Sequence, residues 1–163
     1  MSLILSIETA TTNCSVSLSK AGKTIVLKED YDHNYSHAER LHIYISAVLK
    51  EAKISKNDID AVAVSMGPGS YTGLRIGVSA AKGLCFALDK PLIAIPTLES
   101  LAHQVKINNG VIISMLDARR MEVYSAIYDS NYKQIRETQA QILDENSFSN
   151  YLKNQKVYFI GNG

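Results

Sequence analysis

The chain has 163 residues, of which 46% are hydrophobic, enough for one ordinary domain or two small lobes. Seventeen basic and sixteen acidic residues leave a formal charge of +1, so any contact with nucleic acid has to come from a local patch and not from a global field. Cys14 and Cys85 stand far apart with no C-x-x-C spacing, which argues against a disulfide framework or zinc site and for reduced thiols in a cytoplasmic protein, and no apolar run approaches the ~18 residues of a membrane span.

In chain order, Leu3 to Ile7, Cys14 to Ser19 and Thr24 to Asp30 read as three strands joined by the turns Thr11-Thr12-Asn13 and Lys20-Ala21-Gly22-Lys23, an antiparallel meander. A helix follows. Ser36-His37-Ala38-Glu39 has the spacing of a capping box, and Leu41, Ile45, Val48, Leu49 and Ala52 recur along one helical face. Ile59 to Met66 is expected as a strand, Thr72 to Leu88 as a second helix behind a glycine-rich corner, Leu92 to Ile95 as a buried strand and Leu98 to Val105 as a short helix. Three strands and then alternating helix and strand is the order of a ribonuclease-H-like lobe. The order then restarts without sequence repeat: Val111 to Leu116, Val123 to Asp129 and Gln134 to Ile142 form a second meander, Phe148 to Leu152 a short helix and Val157 to Ile160 a strand. The expected fold is therefore α/β with two lobes, residues 1–106 and 107–163, the second ending at Gly161-Asn162-Gly163 before any closing helix and so expected to be incomplete.

The glycine corner, Gly67-Pro68-Gly69-Ser70-Tyr71-Thr72-Gly73-Leu74-Arg75-Ile76-Gly77, is the most informative segment. A glycine loop between strand and helix is where phosphates are often cradled, but five residues separate Gly67 from Gly73 and Leu74 follows, so neither the P-loop nor the G-x-G-x-x-G spacing is met. The helix behind it carries Gly73, Gly77, Ala80 and Ala81 on one side, extended by Leu84 and Leu88, while Ile76, Ser79, Gly83, Phe86 and Ala87 occupy the other. A helix apolar nearly all round needs cover on both faces. The sheet supplies one cover; on composition the first helix supplies the other, and the competing reading is a second polypeptide seated on the small residues.

Other groups with chemistry are sparse. His37 and His42 lie ~140° apart on one helix and cannot share an ion from it. Glu99 and His103 share a helical face without a third ligand, and Glu8-Thr9 with Asp117 are the groups that would hold a magnesium-bound nucleotide. Against the latter, Asp117-Ala118-Arg119-Arg120-Met121 has no glycine and its side chains fill the space of a phosphate; Arg119 and Arg120 beside Glu122 make a small charged tip, of a kind that is mostly just solvated, with contact to RNA or a partner as the alternative.

Four segments, ILSIETATTNCSVSL at Ile4 to Leu18, SMGPGSYTGLRIG at Ser65 to Gly77, PTLESLA at Pro96 to Ala102 and LDARRMEVY at Leu116 to Tyr124, resemble the TsaB family, also called YeaZ and labelled glycoprotease-like. The resemblance runs through most of the chain. It implies a two-lobed fold of the actin, hexokinase and Hsp70 type, and a non-catalytic subunit for threonylcarbamoyladenosine synthesis in transfer RNA. Such a subunit has no metal or cofactor of its own. It partners the transferase TsaD, reaches the ATPase TsaE and the tRNA through the larger complex, and pairs with itself when alone. The catalytic relatives resemble H-x-x-x-H after the proline where this chain has Glu99 to His103, and carry a glycine pair where it has Asp117 to Arg120, so a metal ligand and the nucleotide pocket are both lost. The family's contact helices map onto Leu41, Ile45, Gly73, Ile76, Gly77, Ala80, Ala81 and Leu84, which moves the small-residue stripe from core to docking surface; a charge at Gly77 or Ala80 is then expected to abolish pairing. The alternative is an ATP-dependent phosphotransferase or metallopeptidase of the same superfamily.

Overall fold

The computed structural model describes residues 2–30 and 37–163. The elements are β1 (Leu3–Glu8), β2 (Cys14–Lys20), β3 (Lys23–Asp30), α1 (His37–Ala52), a 3-10 turn (Lys56–Asp58), β4 (Ala61–Gly67), α2 (Tyr71–Leu88), β5 (Leu92–Pro96), α3 (Thr97–Ala102), β6 (Val111–Asp117), β7 (Glu122–Asp129), β8 (Gln134–Ile142), α4 (Ser149–Leu152) and β9 (Val157–Gly161). They fall into two compact units that divide at Ile95/Pro96. Where a division after Lys106 is expected from the sequence, α3 goes with the second unit, because Leu98 and Ala102 are fully buried against Ile112, Leu116 and Tyr128. The capping serine expected at Ser36 lies outside the described residues.

In the first unit the sheet order is β3-β2-β1-β4-β5, with β1 antiparallel to β2 and parallel to β4. Strict alternation explains its inner face: Leu3, Leu5 and Ile7 of β1 and Cys14, Val16 and Leu18 of β2 are buried, as are Val62 and Val64 of β4. These pack with Leu41, Ile45 and Val48 of α1 and Ala81 of α2, one core built from a sheet face and two helical stripes. Asp30, at the buried end of β3, pairs with Arg40 of α1 and ties that helix to the meander. The strand expected to be buried at Leu92 to Ile95 is not: Leu92, Ile93 and Ile95 are each 36% exposed. β5 is the outermost strand and has β4 on one side alone, so its apolar residues lack the flanking neighbours that central strands have.

The second unit repeats the arrangement in order β8-β7-β6-β9, with β6 antiparallel to β7 and parallel to β9. Its central strand β6 is buried on both faces. Ile112 and Leu116 meet α3 on one side; Val111, Ile113 and Met115 meet Val123, Ile127 and Phe148 on the other. The repeated order of elements read from the sequence is thus a repeated topology, carried by residues that share pattern and not identity.

Candidate docking surface on the glycine-corner helix

The end of β1 and the start of α2 interlock. Gly67 adopts φ +111°, a conformation that side chains rarely tolerate, and turns the chain out of β4. The Ser70 amide then donates to the Ala10 carbonyl at 2.6 Å, and the Ser70 hydroxyl caps the amide of Gly73 at 3.3 Å. From the other side the buried Thr9 hydroxyl donates to the Gly73 carbonyl at 2.8 Å. This approach leaves no room for side chains on α2: a Cβ at Gly73 would strike the Thr9 carbonyl, and one at Gly77 the Thr9 hydroxyl. His37, also buried, bonds through Nε2 to the Thr11 carbonyl at 2.8 Å and lies against Gly73.

That interlock occupies part of the glycine corner: the amides of Ser70 and Gly73 are spent on Ala10 and on the Ser70 hydroxyl. Glu8 is similarly occupied. One of its oxygens accepts from the Ala10 amide at 2.6 Å and the other from the Ser65 hydroxyl. Asp117 accepts from the Arg119 amide at 2.7 Å in a turn where Arg119, Arg120 and Met121 all have positive φ. His103 stacks on the Tyr132 ring with centroids 4.2 Å apart, and the charge of Glu99 adds to burial in pushing the Tyr128 phenol up to about 12. No group of three His, Cys, Asp or Glu among the described residues is placed to hold a metal.

The eight residues expected at a partner surface separate into two sets. Leu41, Ile45, Gly73, Gly77 and Ala81 are buried within the chain's own fold, the first two and Ala81 in the core and the glycines under Thr9. The smallness of Gly73 and Gly77 answers to Thr9 at the end of β1, so the picture of bare backbone offered to a second chain does not hold for them. Ile76, Ala80 and Leu84 are half-buried and open outward. With His42 of α1 and Ser79 and Gly83 of α2 they line a groove of about 390 Å³ between the two helices. Around it, Phe86 is 92% exposed, Tyr71 and Ile43 are exposed, and the Arg75 guanidinium lies 4.1 Å from the centre of the Tyr71 ring. The sequence reading did not place His42, Ile43, Ser79, Gly83 or Phe86 in the site. The signal for Ser79 and Gly83 is the spacing Ile76, Ser79, Ala80, Gly83, at i, i+3, i+4 and i+7, a stripe beside the one that carries the glycines.

The paired topology, a meander followed by a parallel strand in each unit, is that of the actin-like class built from ribonuclease-H-like lobes. The family model for "TsaD: tRNA N6-adenosine threonylcarbamoyltransferase" matches residues 32–157. A "tRNA threonylcarbamoyladenosine biosynthesis protein TsaB" of Bacillus subtilis is 34% identical over 77% of this chain and 54% of its own length, and that of Escherichia coli 35% identical over 87% and 63%. The solved structure of YeaZ from Pseudomonas aeruginosa superposes with a TM-score of 0.75 at 30% identity, covering 90% of this chain and 69% of that one. The chain belongs to the TsaB (YeaZ) family. It spans between about half and two thirds of the length of the two curated relatives.

Proposed function

We propose that this chain is a non-catalytic subunit in the synthesis of threonylcarbamoyladenosine in tRNA, and that it works in the cytoplasm by docking the transferase TsaD on the outer side of α1 and α2. TsaE and tRNA are then reached through TsaD, and a second copy of this chain takes the same surface when TsaD is absent. The observation that carries the reading is the charge-poor groove of Ile76, Ser79, Ala80, Gly83 and Leu84 beside an almost fully exposed Phe86. An exposed aromatic next to small residues is the composition of an interface anchor and its pocket. The engagement of Glu8 and Thr9 in holding the corner together supports a docking role over a reacting one.

The test is co-elution with TsaD of the same cell by gel filtration with light scattering, together with threonylcarbamoyl transfer. Ala80→Glu and Phe86→Glu place a charge on the surface; each is expected to weaken the complex roughly 30-fold or more while the unaccompanied chain melts as before. A complex of unchanged stoichiometry and activity with both variants would overturn the reading. Gly77→Arg is not a fair test, since Gly77 is sealed beneath Thr9 and the substitution attacks the fold.

A further inference from the structure

Arg136 lies on β8, an edge strand whose other residues are nearly all exposed, yet its own side chain is turned inward. The cause is a break in register. Between Ser125 and Ile127 of β7 the partners on β8 run from Gln139 to Arg136, three residues against two, and a second shift follows at Tyr128, which pairs with Gln134. A bulge of this kind reverses the alternation and re-aims a side chain. Arg136 thereby joins the face of Val123 and Ile127, with its guanidinium 5.0 Å from the centre of the Phe148 ring.

Everything that touches the guanidinium is neutral. One terminal nitrogen donates to the Gln141 amide oxygen at 2.9 Å and the other to the hydroxyl of Ser125, which is fully buried; Nε is buried with no partner. The ion pairs among the described residues are Lys28 with Glu51 and Arg40 with Asp30, so no carboxylate there neutralises Arg136. Burial lowers its affinity for the proton, with the Tyr151 phenol acting the other way. A guanidinium held by two hydrogen bonds in fixed orientation, partly desolvated and lacking a counter-ion, is under electrostatic tension that an anion relieves. Each terminal nitrogen keeps a second N–H, and the Gln141 amide, its oxygen taken by Arg136, is left with its NH2 group as a donor.

We propose that Arg136, with Gln141 beside it, is an oxyanion-binding site that accepts a phosphate or carboxylate group at the β8 edge of the second unit. The site is independent of the docking surface on α2. Its signature is an inversion of stability. The uncompensated charge opposes folding when the site is empty and favours it when the site is filled. The test uses the full chain in chloride buffer, titrated with inorganic phosphate and separately with acetate at constant ionic strength, with thermal melting as readout. The native chain is expected to gain roughly 3 °C or more per tenfold rise in free anion concentration above half-saturation. Arg136→Gln is expected to melt at or above the native chain without the anion and to gain nothing from it. Arg136→Lys keeps the charge and loses the planar fork, and is expected to fold and lose most of the gain. A response to phosphate alone assigns phosphate, and a response to both assigns oxyanions in general. Equal gains in native and Arg136→Gln chains, no gain beyond chloride in the native chain, or an Arg136→Gln chain that is unfolded or lower-melting in chloride would each overturn the proposal, the last by showing the guanidinium to be a structural strut.

Discussion

Two glycines of α2 should respond to the same substitution with opposite sign. Alanine in place of glycine inside a helix ordinarily stabilises it by about 1 kcal/mol. At Gly83 nothing lies within 4 Å of the added Cβ, so Gly83→Ala is expected to realise that gain. At Gly77 the Cβ falls on the hydroxyl of Thr9, which is buried and donates to the Gly73 carbonyl at 2.8 Å. Either β1 and α2 move apart, at about 1–3 kcal/mol for overpacking, or Thr9 rotates and leaves a buried hydroxyl without its acceptor, at a similar cost. Set against the propensity gain, Gly77→Ala is expected to lose up to about 2 kcal/mol net. Urea unfolding of the full chain measures both. Thr9→Ala in the Gly77→Ala background should recover part of the loss, a coupling that a double-mutant cycle isolates. If Gly77→Ala were stabilising to the same degree as Gly83→Ala, the interlock of β1 with α2 would be refuted.

Two further outcomes follow from residues away from α2. The Cys14 thiol is pushed up from about 9 to about 11, first by burial and then by Asp30, so the folded chain holds its proton over a range in which the unfolded chain releases it; stability is expected to fall as pH rises from 9 to 11, by up to about 3 kcal/mol, and Cys14→Ser or Cys14→Ala should flatten that limb of the pH–stability curve. Arg120 sits at φ +55° between two other left-handed residues, where an L side chain costs about 1–2 kcal/mol, so Arg120→Gly should leave the melting temperature unchanged or raise it by about 2–4 °C despite the glycine's greater freedom in the unfolded chain; a fall would refute the strain.

β1 and β2 were legible because a half-buried strand writes its burial into every second residue, as in Leu3, Leu5 and Ile7 and in Cys14, Val16 and Leu18. α2 was legible for the opposite reason, a run too apolar to face water on either side. What the sequence concealed were properties of position. Leu92 to Ile95 is as apolar as a central strand, and only the finished sheet puts it at an edge. The register shift that turns Arg136 inward is a property of the paired strands β7 and β8. Leu98 and Ala102 have a clear apolar spacing, but spacing does not say which sheet receives them.

The small-residue stripe carries the sharpest lesson, since two physical demands produce the same letters. A helix presents glycine and alanine where another backbone comes close, whether that backbone belongs to its own sheet or to another chain. Here β1 accounts for Gly73 and Gly77 and the core for Ala81, while of the residues one helical step round Ile76 and Ala80 are only partly covered and Gly83 is exposed. Docking is therefore expected on the flank of the stripe and at Phe86. The two sets are separable by experiment: changes at Gly73, Gly77 or Ala81 should register as lost stability, with association falling only as folded protein falls, whereas changes at Ala80 or Phe86 should weaken association in a chain that melts normally. A Gly77 variant that kept its melting temperature and lost TsaD would restore the stripe to the interface and reverse the assignment.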